Sequence, residues 1–215
     1  MEQQRQAVDD QSGQAFARLW WLGALPLIVF AARAVEYVWI ARTPEQILWC
    51  CHISNLLLGL GILFHHRRSV RIAALWILVG LPPWALDMVV TGLITPVSLL
   101  SHLGGAAIAL VALRRVGVTG RDWLPALLYF LVLQQLTRQL TVPGPLTNVN
   151  VAHFAYGPWK DLITTYWLYI IVNSTLAALL LLILERLLRT IFPERPPRLA
   201  ADRLAADRLT ADRQH

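Results

Sequence analysis

DLITTYWLYIIVNSTLAALLLLILE, residues 161–185, is charged only at its two ends. A helix rises about 1.5 Å per residue and a bilayer core is about 30 Å thick, so a run of this length and apolarity reads as a transmembrane span. Five further apolar stretches precede it, at 18–40, 46–64, 71–91, 94–113 and 123–140. The chain therefore reads as an all-α, polytopic membrane protein of six helices. Residues 1–17 form an N-terminal segment, 18–190 the transmembrane domain and 191–215 a flexible tail. The first stretch follows a polar segment and lacks a small-residue cleavage site, so it is expected to be a retained span rather than a removed signal peptide.

The remaining composition agrees. Of 215 residues, 56 % are hydrophobic and 15 % charged, with a mean hydropathy of +0.51. Soluble domains carry about 25 % charged residues. Two Cys among nine Trp exclude a disulfide-stapled secreted scaffold. The net charge of +6 does not imply nucleic-acid binding, because the arginines sit in short clusters between apolar runs. With six spans, 15 of the 19 basic residues fall on the side that holds both termini, and Arg42, Arg138 and Lys160 on the other. That asymmetry predicts cytoplasmic termini in a plasma or inner membrane.

Loops and tail add expectations. Leu81-Pro82-Pro83-Trp84 is expected to interrupt the third helix, since each proline removes a backbone donor. Residues 141–160 form a long outer loop rich in Pro, Gly and Asn, and such loops are more often functional than not. The tail repeats a pentad, Ala201-Asp202-Arg203-Leu204-Ala205 and its two successors, whose period builds no continuous apolar stripe.

Topology places the polar residues. Arg33 and Glu36, then Cys51, His52 and Asn55, then Asp87, His102, Gln134 and Gln135 all fall within roughly 5–15 Å of the outer surface at the helical rise. Arg33 and Glu36 share a helix face, as do Cys51, His52 and Asn55. Gly104-Gly105-Ala106-Ala107 offers a small-residue surface for close helix approach. Ionisable groups in a membrane interior are costly and usually face a cavity, so a polar cavity open to the outer leaflet is expected. Each group also has a plainer reading. Arg33–Glu36 serves equally as a structural ion pair, Cys51 as an inert buried thiol, His102 as a core hydrogen-bonding group and Asp87 as a partner for backbone freed by the prolines. His65-His66-Arg67-Arg68 reads as a headgroup-binding run on the cytoplasmic side. No metal-ligand spacing or phosphate loop is present, and no cofactor is expected.

The order of these elements resembles a known family. Leu48-Trp49-Cys50-Cys51-His52-Ile53-Ser54-Asn55, the Pro-broken third helix, Thr95-Pro96, Ser101-His102-Leu103-Gly104-Gly105 and Thr147-Asn148-Val149-Asn150 are similar to the YwaF-like bacterial integral membrane proteins. They also resemble a related Cys-His phospholipid acyltransferase and the androgen-induced fatty-ester hydrolases, over roughly residues 46–170. The resemblance implies Cys51 as the acyl-accepting nucleophile, His102 as general base, and a supporting loop at Asn148 and Asn150. His52, Asn55 and Arg33 are available as oxyanion donors.

Three functions follow as alternatives. One is a lipid acyl hydrolase or acyltransferase using Cys51 and His102, with membrane lipids as partners. Another is a solute or proton-coupled transporter using Arg33, Glu36, Asp87 and His102. The third is a non-catalytic accessory protein. A metal or haem site at His52, His102 and His153 lacks diagnostic spacing. The oligomeric state is not readable from the sequence.

Overall fold

A computed structural model describes residues 20–92, 94–144, 147–155, 163 and 165–194. The N-terminal segment 1–17, Lys160 and the pentad repeat of the tail lie outside the described residues. The architecture is helical, with no strand among the described residues. Six main helices coincide with the six apolar stretches: α1 (Trp20–Ile40), α2 (Cys50–Leu63), α3 (Arg67–Thr91), α4 (Pro96–Val116), α5 (Trp123–Leu140) and α6 (Tyr166–Ile191). Of these, α1, α3, α4 and α6 are long and apolar enough to cross a membrane. Helix α2 has only 14 residues, and the 18 residues of α5 include Gln134, Gln135 and Arg138 near its end.

The distribution of side chains inverts that of a soluble protein. Trp167, Ile171, Leu176, Leu179, Ile183 and Leu187 of α6 are exposed, as are Val89 and Val90 of α3. His52, Asn55, Gln134, Asn148 and Glu185 are instead buried at 2 % exposure or less. Contiguous apolar exteriors of this extent are stable only against an apolar surrounding, so the protein is membrane-embedded.

Helix ends follow local chemistry. Helix α3 starts after His66, which accepts the Ser69 amide, and stops at Gly92, whose φ of 67° is the left-handed conformation favoured for glycine at a helix terminus. Helix α4 starts with Thr95 as cap and Pro96 at its first position. The expected start of α2 at residue 46 is corrected: Pro44–Leu48 forms a 3-10 turn and Trp49 is extended, so the α-helix begins at Cys50. Pro82 and Pro83 do not interrupt α3, which runs through both. Their missing amides deprive only the carbonyls of Leu78 and Val79, and the ladder continues on either side.

Close packing sets the half of the bundle that holds the α4–α5 connection. Gly23 and Gly59 let α1 and α2 touch backbone to backbone, since a Cβ on Gly23 would lie 2.9 Å from the Gly59 carbonyl oxygen. Trp76 of α3 stacks on Phe130 of α5 and donates to the Ala126 carbonyl. At the end that holds the α4–α5 connection, Arg71 is buried and donates to the carbonyls of Gly117 and Val116 and to Glu194. It also lies 3.8 Å from Asp122, which accepts from Thr119. Glu185 of α6 accepts from the amides of Asp122 and Trp123 and so caps α5 from a different helix. Arg71 sits one turn inside the start of α3 and Glu185 nearly two turns inside the end of α6, positions that the sequence placed at the ends of the apolar stretches.

Candidate functional site

At the opposite end, α1, α2, α3 and α4 bring together the polar residues expected there. Two of the four helices change geometry to do so. The last turn of α1, Glu36–Ile40, and the turn Leu100–Gly104 of α4 are both π-helical. Single π turns are uncommon and concentrate at functional positions. Here one follows Arg33 and holds Tyr37, and the other holds Ser101 and His102.

His52 is the centre of the cluster. Its Nε2 lies 3.3 Å from the Tyr37 hydroxyl, and its Nδ1 lies 3.4 Å from Ser101 Oγ and 3.7 Å from Cys51 Sγ. An Nε2–H donating to Tyr37 leaves Nδ1 as a lone pair shared between the serine hydroxyl and the thiol. His102 faces His52 edge-on, with ring centroids 6.0 Å apart, and stacks on Trp84 at 4.6 Å. Its Nδ1 is 3.0 Å from the Ser98 carbonyl oxygen, which fixes the proton on that nitrogen and leaves Nε2 as an acceptor. Trp84 is itself held by donating to Ser98 Oγ.

Arg33 is buried, pairs with Glu36 at 2.6 Å and lies 4.9 Å over the Tyr37 ring. Its Nε is buried and has no hydrogen-bond partner among the described residues. A guanidinium has five donors, and an orphaned one in an apolar setting is costly unless something accepts from it. Asn55 donates to the carbonyls of Cys51 and Ser101 and so ties α2 to α4. That approach depends on Gly105, where a Cβ would fall 2.5 Å from Asn55 Oδ1.

The remaining expected residues are placed differently. Cys51 is only partly buried and its Cβ faces Gly80 of α3. The nearest base to its sulfur is His52, its own neighbour, while His102 is linked to it through His52. Asp87 is exposed on α3 and contributes its carbonyl to Thr91. Asn148 and Asn150 are buried in a folded segment of the α5–α6 connection, around the 3-10 turn Val149–Val151. Asn148 accepts from the amides of His153 and Phe154 and closes the turn on itself. Asn150, with φ of 54°, accepts from the Cys50 amide at 2.7 Å and donates to Leu48 and Thr137. It is thus the side-chain cap of α2, supplied from 100 residues away. Gln134 holds the same segment through the carbonyls of Asn150 and Val151. His153 bonds Thr141 in this loop, and no group of three metal-ligating side chains occurs among the described residues.

Tyr37, Trp84, Ser98 and Ser101 were not anticipated. Tyr37 lies four residues after Arg33 and Ser101 immediately before His102, so face-sharing and adjacency were the available signals. Comparison of the chain with known protein families, curated proteins and solved structures finds no match.

Proposed function

We propose that the six helices all span the bilayer with both termini cytoplasmic, and that the cluster at the outer end catalyses acyl transfer from a lipid ester. The observation that carries the chemistry is the 3.7 Å approach of Cys51 Sγ to His52 Nδ1 beside a buried arginine with an unused donor. The resemblance to the Cys-His acyltransferase implies the same nucleophile. The 15-to-3 asymmetry of basic residues supports the orientation.

In the step proposed, the thiol proton passes to a histidine lone pair as Cys51 Sγ forms a bond to the ester carbonyl carbon. His52 Nδ1 is the first acceptor, and His102 Nε2 is the second base within the cluster. The carbonyl oxygen gains the negative charge and accepts from Arg33 Nε. Collapse breaks the bond to the alcohol oxygen, which leaves with the histidine proton. The resulting thioester is resolved by water in a hydrolase, or by an acceptor alcohol in an acyltransferase. Ester groups lie just below lipid headgroups, at the depth at which the helical rise puts this cluster.

The test is lipid mass spectrometry on the purified full-length protein in mixed phospholipid. Wild type is compared with Cys51→Ser, His52→Gln and His102→Gln, with thermal unfolding confirming that each is folded. Loss of a positioned base is expected to lower turnover about 10²–10⁴-fold, and loss of Cys51 to abolish it. Absence of any product from wild type across phospholipid and fatty-acid esters, or undiminished turnover by folded Cys51→Ser, would overturn the acyl reading.

A further inference from the structure

The inner end carries a second polar feature that the outer cluster does not use. A cleft of about 540 Å³ lies between the start of α3, the α4–α5 connection and the end of α6. It is lined by Arg68, Arg71, Arg121 and Arg189, with Asp122 and Glu194 as its acidic members. Arg71 forms the floor, and its charge and hydrogen bonds are taken up by Asp122, Glu194 and two carbonyls. Arg68, Arg121 and Arg189 are exposed and form no ion pair among the described residues. The cleft therefore combines a neutralised floor with three uncommitted guanidinium groups.

Its walls are held in place. Val118 donates to the Phe192 carbonyl, which ties the α4–α5 connection to the end of α6. Gly117, at φ of 66°, packs so closely on this segment that a Cβ would lie 2.6 Å from Glu194 Cα. Gly120, at φ of 86°, lets Arg189 lie across the loop, with its Nη1 2.8 Å from where a Cβ would stand. The N-terminus of α3 adds its partial positive charge beside Arg68.

We infer that this cleft binds the phosphate of an anionic phospholipid headgroup at the cytoplasmic face. Guanidinium groups recognise phosphate oxygens in a bidentate manner, and three around one cleft can neutralise a headgroup phosphate without displacing an internal pair. A lipid is the occupant because the cleft lies between helix ends of a membrane-embedded protein and is charge-complementary to a headgroup phosphate. The inference rests on the membrane orientation proposed above and not on the acyl chemistry.

Native mass spectrometry of the full-length protein in detergent tests it, because retention in micelles reads the cleft irrespective of which side it faces. The probes are phosphatidylglycerol, phosphatidylcholine and inorganic phosphate. Wild type is expected to retain phosphatidylglycerol in preference to phosphatidylcholine. Arg121→Gln and Arg189→Gln are each expected to lower retention about five-fold, and Arg189→Lys by less. Arg114→Gln with Arg115→Gln removes two charges outside the cleft and is expected to leave it unchanged. Equal retention by the cleft and control variants would overturn the site. Retention of inorganic phosphate with no preference for phosphatidylglycerol would overturn the lipid as its occupant. Cys51-dependent turnover, measured on the same samples, fails or survives separately.

Discussion

The two ends of the bundle solve the same problem in opposite ways. Each buries an arginine. At the inner end Arg71 meets two carbonyls and two carboxylates, and its hydrogen bonds pin α3 to the α4–α5 connection and to the residue beyond α6. At the outer end Arg33 meets one carboxylate and an aromatic face, and its Nε has no partner among the described residues. The adjacent histidines likewise retain a shared or unused lone pair. A saturated network holds a structure together, whereas an unsaturated one in a costly location has capacity for something not in the chain. On this contrast, substitution of Arg71 should act mainly through stability, and substitution of Arg33 and the groups around it mainly through function.

The largest expected effect tests the saturated arginine. Arg71→Met removes the donors to Gly117 and Val116 and leaves Asp122 and Glu194 without their cation. Breaking a buried pair from one side costs about 3–5 kcal/mol. Thermal unfolding in detergent should show that loss. Any Cys51-dependent turnover per folded molecule should be close to wild type. A normal unfolding temperature with altered turnover would invert the contrast.

A smaller effect is expected where α2 meets α4, and it separates positioning from packing. Gly105→Ala puts a methyl carbon 2.5 Å from Asn55 Oδ1, so the amide must give up its bonds to Cys51 and Ser101. Overpacking of this kind costs about 1–3 kcal/mol. Asn55→Ala relieves the clash, so the double variant should be more stable than the sum of the single effects by about 0.5–3 kcal/mol in a double-mutant cycle. Strict additivity would mean that the two residues do not meet.

These residues also show what could be read from the chain. The six apolar stretches, the Arg33–Glu36 pair and the use of Gly105 were legible because they depend on local spacing and on depth. Helical rise places Cys51, His52 and His102 at one level, yet it leaves helix rotation open. The π turns at Glu36–Ile40 and Leu100–Gly104 alter that rotation, and no residue type announces them. Asn150 was singled out by resemblance, but its role as cap of α2 depends on a contact across 100 positions. Glu185 was invisible for the same reason: a carboxylate at the end of an apolar run looks like an interfacial charge until the amides of another helix are seen to meet it.

The smallest expected effect lies in the outer loop, outside the spans, and is a matter of pH. Burial, and then the positive charge of Arg138, hold His153 below its ordinary pKa of 6.5. The folded protein thus binds this proton less readily than the unfolded chain does. The stability that neutral His153 contributes is complete above about 6.5, the unfolded value, and is lost as the pH falls through its lower folded value. Its ring also meets Thr141, whose hydroxyl donates to Thr137, so a neutral Nε2–H donor suits the site. Wild type should therefore show a small decline in unfolding temperature between pH 7 and 5 that His153→Gln lacks. Because the side chain is partly exposed, solvent screening keeps the effect small. An identical decline in both proteins would place the acid sensitivity elsewhere, and the outer histidines His52 and His102 would be the next groups to substitute.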